Sequence, residues 1–362
     1  MGNLFSSPPT CVGGWCVTPR KRPPPTTQAV DTLNEALDRA DAVRVARVAA
    51  GTWDGASPIF YGLLWQRPYS SSHLDVRMIQ PENFEQLHLR HKQRDPAKGC
   101  IDPERIGTPE GRDIAEITLR LPDGEARVLP MFAYTAHLVP PDTLWDPEAG
   151  DGVEGDIYEH GTWTGTLLWD SAVHTAEWLL ASAEWAAWLP GKSVLELGSG
   201  LGLPGLVCHA LGASPVLLTD RPAIADLVAE GLTHNGLSVS ASAPASSAAA
   251  ATAGVRTCSF EWDEEGAAHV LAEQLGGRKP DVIIAADCIF SPLFGDTFLL
   301  LRMLDLLAGP HTTALVSLER RSGDGGPRFF ECAREAGFDI SPPRVVSDTH
   351  AVLLFELTRT KE

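Results

Sequence analysis

Residues 192–205, Lys-Ser-Val-Leu-Glu-Leu-Gly-Ser-Gly-Leu-Gly-Leu-Pro-Gly, carry the residue types most able to do chemistry. Gly198, Gly200, Gly202 and Gly205 let the backbone take positive φ and come within contact distance of a ligand. Glu196 stands one residue before the first glycine, where an acid opposes a phosphate and suits a cationic or hydroxyl-bearing ligand. Further acids and an aromatic recur downstream: Asp220, Glu261 beside Trp262, Asp287 and Glu319. Together they point to S-adenosylmethionine (SAM), a sulfonium cofactor with an amino-acid tail and a ribose. Asp220 can accept hydrogen bonds from both ribose hydroxyls, and Trp262 supplies an aromatic wall for adenine.

A dinucleotide site is the competing interpretation. Gly200-x-Gly202-x-x-Gly205 satisfies G-x-G-x-x-G, and Asp220 follows at the distance of a ribose-binding acid. Those glycines begin two residues after Gly198, where the strand already ends. The register that starts at Gly198 puts Leu203 in the third glycine's place. Asp220 also stands where it could cap a helix opening at Pro222, a role compatible with ligand binding.

The elements that must hold these residues follow a β-α rhythm. Strands are expected at 193–197, 215–219, 255–260, 281–287, 312–318 and 351–358, with helices at 204–211, 222–235, 266–275, 293–307 and 327–336. Such repetition predicts an α/β fold with a doubly wound, mostly parallel sheet. Its ligands bind beyond the carboxyl ends of the strands. Upstream, residues 172–188 have a helical pattern in which Trp178 and Trp185 read as core, and 114–121 with 127–132 read as a β-hairpin about Pro122-Asp-Gly124.

The domain plan is a disordered leader over 1–27, an N-terminal extension of unassigned role over 28–112, and a catalytic domain over 113–362. Residues 28–50 have a helical pattern and 51–110 read as irregular. The Ala/Ser-rich run 238–254 reads as a surface insertion.

Among 362 residues, 29 Lys and Arg face 47 Asp and Glu, a net charge of −18 that disfavours nucleic acid and favours a basic protein partner. Seven scattered cysteines without C-x-x-C spacing argue for reduced thiols in the cytoplasm or nucleus and against structural zinc. No run of 18 apolar residues could form a membrane-spanning helix.

Five segments together resemble the family 16 protein lysine methyltransferases. They are Trp169-Asp-Ser-Ala-Val, Val194-Leu-Glu-Leu-Gly-Ser-Gly-Leu-Gly, Leu218-Thr-Asp220, Phe260-Glu-Trp262 and Ile284-Ala-Ala-Asp-Cys-Ile-Phe290. The resemblance covers roughly residues 113–358 and implies a seven-stranded class I fold, SAM as cofactor and a protein lysine as substrate. It implies that Trp169 borders the cofactor and that Gly198, Ser199 and Gly200 line its methionine portion. Asp220 would hold the ribose, while Trp262 and Ala286 flank the adenine and the methionyl end. Asp287 occupies the acid of the family's D-x-x-Y element beside the reactive centre, and Phe290 stands where the family usually has Tyr. The aromatic wall survives that change and the hydroxyl does not.

Methyl transfer needs a neutral amine held about 3 Å from the activated carbon. Burial lowers a lysine's pKa, so no strong base is required. Asp287 and Glu319 are expected to orient the incoming ammonium, although Glu319-Arg320-Arg321 reads equally as an exposed strand end. The alternatives are a small-molecule N-methyltransferase, an NAD(P)-dependent oxidoreductase and a silent binding scaffold. The protein is expected to be monomeric. Separately, Met1-Gly2-Asn-Leu-Phe-Ser6 fits an N-myristoylation pattern, with Cys11, Cys16 and Arg20-Lys21-Arg22 as second membrane signals, against a plain leader.

Overall fold

The computed structural model describes residues 69–78, 113–133, 165, 168–237, 254–290, 298–320, 324–347 and 351–360, and a two-residue pairing of Cys11–Val12 with Trp15–Cys16. Apart from that pairing the expected leader, with the myristoylation site at Gly2 and the basic triplet at 20–22, lies outside the described residues, as do the helical pattern at 28–50 and nearly all of the 238–254 insertion.

The main sheet is built from β5 (Val194–Leu197), β6 (Val216–Asp220), β7 (Val255–Ser259), β8 (Val282–Ala286), β9 (Thr313–Glu319), β10 (Phe338–Ile340), β11 (Arg344–Ser347) and β12 (Val352–Arg359). Its order is β10-β12-β9-β8-β5-β6-β7, with β11 also on β12. The five strands β5 to β9 are parallel to one another, and β12 runs antiparallel to β9. Both β10 and β11 pair antiparallel with β12 in nearly continuous register, from Phe338 opposite Arg359 to Ser347 opposite Val352. They are therefore two halves of one edge strand. Pro342 and Pro343 interrupt it, because proline has no N–H for the ladder. This split edge, which the sequence pattern does not reveal, divides one of the expected seven strands into two segments.

Alternating residues of the buried strands feed two cores. Val194, Val216, Leu218, Ile284 and Leu315 join one apolar cluster, while Leu195, Leu217, Ile283 and Val316 join the other. Strands covered on both faces read as continuous apolar runs. On the first face pack α1 (Asp170–Ala181), α3 (Leu203–Ala210) and α4 (Pro222–His234). On the second pack α5 (Glu264–His269), α6 (Phe298–Leu307) and α7 (Gly326–Glu335). A π turn over Val270–Gln274 extends α5.

The helix expected over 172–188 is two helices. Ser182 adopts an extended conformation and caps α2 (Ala183–Trp188) by accepting the Trp185 N–H at 3.3 Å. Trp178 and Trp185 still meet across the break, edge to face at 5.6 Å, with Trp185 buried.

The expected hairpin belongs to a larger antiparallel sheet, β1 (Tyr69–Ser70), β2 (Leu74–Met78), β3 (Asp113–Arg120) and β4 (Ala126–Ala133). β1 and β2 fall within 51–110, which the sequence pattern had left irregular. The division expected at residue 113 separates hydrogen-bonded strands, since Leu74 pairs with Leu119 and Val76 with Ile117. Leu74, Val76, Ile117 and Leu119 alternate with polar residues and bury their face in the core shared with α1.

Candidate active site

The chain runs from β5 outward through β6 to β7, then returns to β8 on the other side of β5. The carboxyl ends of β5 and β8 are therefore the switch point where a doubly wound sheet opens a crevice. Gly198 follows β5 there, and Asp287 and Cys288 follow β8.

Gly198 takes φ +58°, and a Cβ placed on it would lie 2.9 Å from Cys288 Sγ and 3.3 Å from the Trp262 ring. The glycine is thus required twice, by its left-handed backbone and by its neighbours. The contact also brings the ends of β5, β7 and β8 together around one half-buried tryptophan. The Cys288 thiol donates to the Leu197 carbonyl at 3.3 Å, and burial pushes its pKa well up. Cys288 is thus a packed thiol, not a nucleophile. Its place here was not foreseen, and its only trace in the sequence is its position in Asp-Cys-Ile-Phe.

Ser199 is buried, and its N–H donates to the Thr219 carbonyl at 2.9 Å. Asp220 takes the Gly200 N–H on one carboxylate oxygen at 2.8 Å and the Arg221 N–H on the other at 2.7 Å. Burial raises its pKa despite those two donors. The carboxylate is therefore fixed beside the glycine loop, and each oxygen keeps a lone pair for a hydroxyl donor. Its expected role as a helix cap is not taken up, because Arg221 holds the cap position of α4 without a side-chain bond.

Glu196 corrects the sequence expectation. Its side chain is 1% exposed and accepts the Gly205 N–H at 2.9 Å, in the first turn of α3. The carboxyl serves the loop's own architecture, and burial raises its pKa to about 8. Of the other strand-end acids, Glu261 is exposed to solvent while Phe260 beside it is buried.

Asp287 is buried and has φ +59°, a left-handed conformation that aspartate tolerates better than most residues. Its N–H donates to the Ser317 carbonyl at 2.8 Å, and its Oδ1 accepts the Glu319 N–H at 3.2 Å. Backbone strain of this kind gathers at functional sites. Ala286 is half-buried and Phe290 buried. Trp169, half-buried, precedes α1, which packs across β8 and β9. The notion of an exposed Glu319-Arg320 strand end is also corrected. Glu319 and Arg320 are buried, and Arg320 pairs with Asp324 at 2.6 Å. Arg321 lies outside the described residues.

A switch point lined by a glycine turn, with an acid after the second strand and a return hairpin at the sheet's edge, is the arrangement of the class I methyltransferase fold. Residues 157–336 match the family model described as lysine methyltransferase. It is 33% identical over 187 residues to the protein-lysine N-methyltransferase EEF2KMT of Mus musculus, covering 50% of this chain and 52% of that one. It is 32% identical over 133 residues to the protein N-terminal and lysine N-methyltransferase EFM7 of Yarrowia lipolytica, covering 35% of this chain and 47% of that one. The chain thus spans about half the length of the curated relatives it matches. A solved TehB-like SAM-dependent methyltransferase from Corynebacterium glutamicum aligns at 17% identity and a TM-score of 0.34, over 48% of this chain and 87% of that one.

Proposed function

We propose that this protein transfers a methyl group from SAM to the ε-amine of a lysine in another protein. One observation carries the proposal: the switch point brings Gly198, Trp262 and Cys288 into contact, with Asp220 fixed on Gly200 and Asp287 at the next strand end. The names of the relatives support the reaction and the acceptor. The net charge of −18 supports a cationic protein partner.

The residues fit the cofactor. Gly198, Ser199 and Gly200 would line its methionine portion with backbone alone. Asp220, oriented by two N–H donors, would receive the ribose hydroxyls. Trp262 and Ala286 would flank the adenine and the methionyl end, with Trp169 at the border. When bound, SAM supplies a methyl carbon already activated by its sulfonium.

The protein's remaining work is to deliver the amine. Asp287, its carboxylate held by the Glu319 N–H, attracts and aligns the incoming ammonium. The closed, apolar surroundings of Ile289 and Phe290 lower the amine's pKa, and its proton leaves to solvent before attack. Phe290 walls the site without offering a hydroxyl. Alignment to about 3 Å then converts a bimolecular step into an effectively unimolecular one. We also infer a reducing compartment, cytoplasm or nucleus, which the unbridged thiols of Cys208, Cys258 and Cys288 support.

Calorimetry against SAM and, separately, NAD tests the cofactor assignment. Binding of SAM in the micromolar range is expected, and binding of NAD without SAM would overturn the proposal.

A further inference from the structure

We propose that Ser317 is a positioning residue for methyl transfer: its buried hydroxyl, shared with Ser171 and Thr175, sets the register of α1 on β9 and so holds Trp169 and Asp287 in one geometry. The proposal rests on the SAM-dependent interpretation of the site.

Ser171, Thr175 and Ser317 are at most 1% exposed. The Ser171 hydroxyl lies 2.9 Å from the Ser317 hydroxyl, and the Thr175 hydroxyl lies 2.7 Å from it. Around them the same interface is apolar, with Val173, Ala176, Leu315 and Leu354 fully or almost fully buried. Burial of apolar surface is non-directional and would tolerate small slips of a helix along a sheet. Hydrogen bonds are directional. Ser171 and Thr175 are four residues apart, so their hydroxyls sit one helical turn apart on a single stripe of α1. Both reach Ser317 only at one axial and rotational setting of the helix. A slip of one residue would move α1 by about 1.5 Å and rotate it by about 100°.

Each end of this cluster leads to the site. Trp169 is two residues before Ser171, and its carbonyl accepts the Val173 N–H in the first turn of α1. On the sheet side, the Ser317 carbonyl accepts the Asp287 N–H at 2.8 Å, and Glu319, two residues on, binds the Asp287 carboxylate. Stability does not require the hydroxyls, because replacing all partners of a buried hydrogen-bond cluster with apolar groups of similar shape can be nearly neutral. What such a replacement removes is the unique register.

The test compares Thr175→Ser, which keeps the hydroxyl, with a Ser171→Ala/Thr175→Val double variant, which removes both helix hydroxyls at similar shape. Melting temperature, the calorimetric Kd for SAM well below melting, and label passed from radiolabelled SAM to proteins of a cell extract are measured for each. The double variant should melt somewhat below wild type, because the Ser317 hydroxyl stays buried without these two partners. Yet well below melting it should bind SAM about tenfold more weakly and transfer label about 10- to 100-fold more slowly, as sub-ångström to ångström misplacement does. Thr175→Ser should match wild type in all three. Unchanged Kd and transfer in a folded double variant would overturn the positioning role. If the double variant does not fold, Ser317→Ala measured in the same way decides on the same criteria. A wild type that binds no SAM would instead overturn the cofactor assignment and this inference with it.

Discussion

The carboxyl of Glu196 in β5 accepts the backbone N–H of Gly205 in α3 at 2.9 Å, so the acid that precedes the glycine loop caps the helix that follows it. A Cβ on Gly205 would lie 2.6 Å from that same oxygen, which explains the fourth glycine of the loop. Strand, loop and helix are thereby locked together.

Burial raises the Glu196 pKa from an ordinary 4.5 to about 8. An acid whose folded pKa is raised contributes stability that is fully present below its unfolded pKa and is lost as pH rises through the folded one. Thermal stability should therefore fall between about pH 4.5 and 8 in part through Glu196. Glu196→Gln, a shape match for the protonated acid, should flatten that part of the profile. Melting curves taken across the range check this; an unaltered slope would show that another group is responsible.

Asp220→Ala should weaken SAM binding by about 1.5–3 kcal/mol, the range for hydrogen bonds to a charged group. The Gly200 N–H also loses its acceptor in this variant, so part of the effect comes from the loop. Calorimetry on the variant reads it directly, and unchanged affinity would remove Asp220 from the site.

Gly198→Ala should destabilise the fold by about 1–2 kcal/mol for its left-handed backbone, with a further penalty for the contact at 2.9 Å from Cys288 Sγ. Adding Cys288→Ala should recover the contact part and leave the backbone part. A double-mutant cycle in denaturant measures the coupling. Strict additivity would mean that the two residues do not press on one another.

Tyr69→Phe should cost about 1 kcal/mol by removing the phenol's hydrogen bond to Glu177, the link between the small sheet and α1. The Tyr69 ring also packs edge to face on His174 at 5.4 Å, and Phe keeps that contact. Burial, and then Glu177, raises the Tyr69 pKa above the usual tyrosine range. A spectrophotometric titration should therefore show one fewer late-titrating phenol in the variant.

What the sequence made legible was the part written in local rules. Gly198 and Gly200 betray a turn, Pro204 and Pro222 open helices, and Asp220 closes an apolar strand. The facing of Glu196 was not legible, because a strand buried on both sides has no polar face to fix its orientation. Leu74 and Val76 alternate with charges over only a few residues, too short a stretch to announce β2. Pro342 and Pro343 hid the split edge strand, and the seven-residue spacing of Trp178 and Trp185 masked the break at Ser182. The Ser171–Ser317 pairing joins residues 146 positions apart and leaves no local trace.

The proposed role of Asp287, which is to present a protein amine to the bound SAM, is met most directly by one measurement. Wild type and Asp287→Asn are incubated with radiolabelled SAM and a cell extract, and labelled proteins are mapped by mass spectrometry. Asparagine tolerates the left-handed backbone, so the variant should fold and bind SAM. Wild type should methylate lysine in one or a few proteins, and the variant should do so about 10²-fold more slowly, the loss expected from a misaligned amine. Label confined to small molecules, or full protein methylation by Asp287→Asn, would contradict the account.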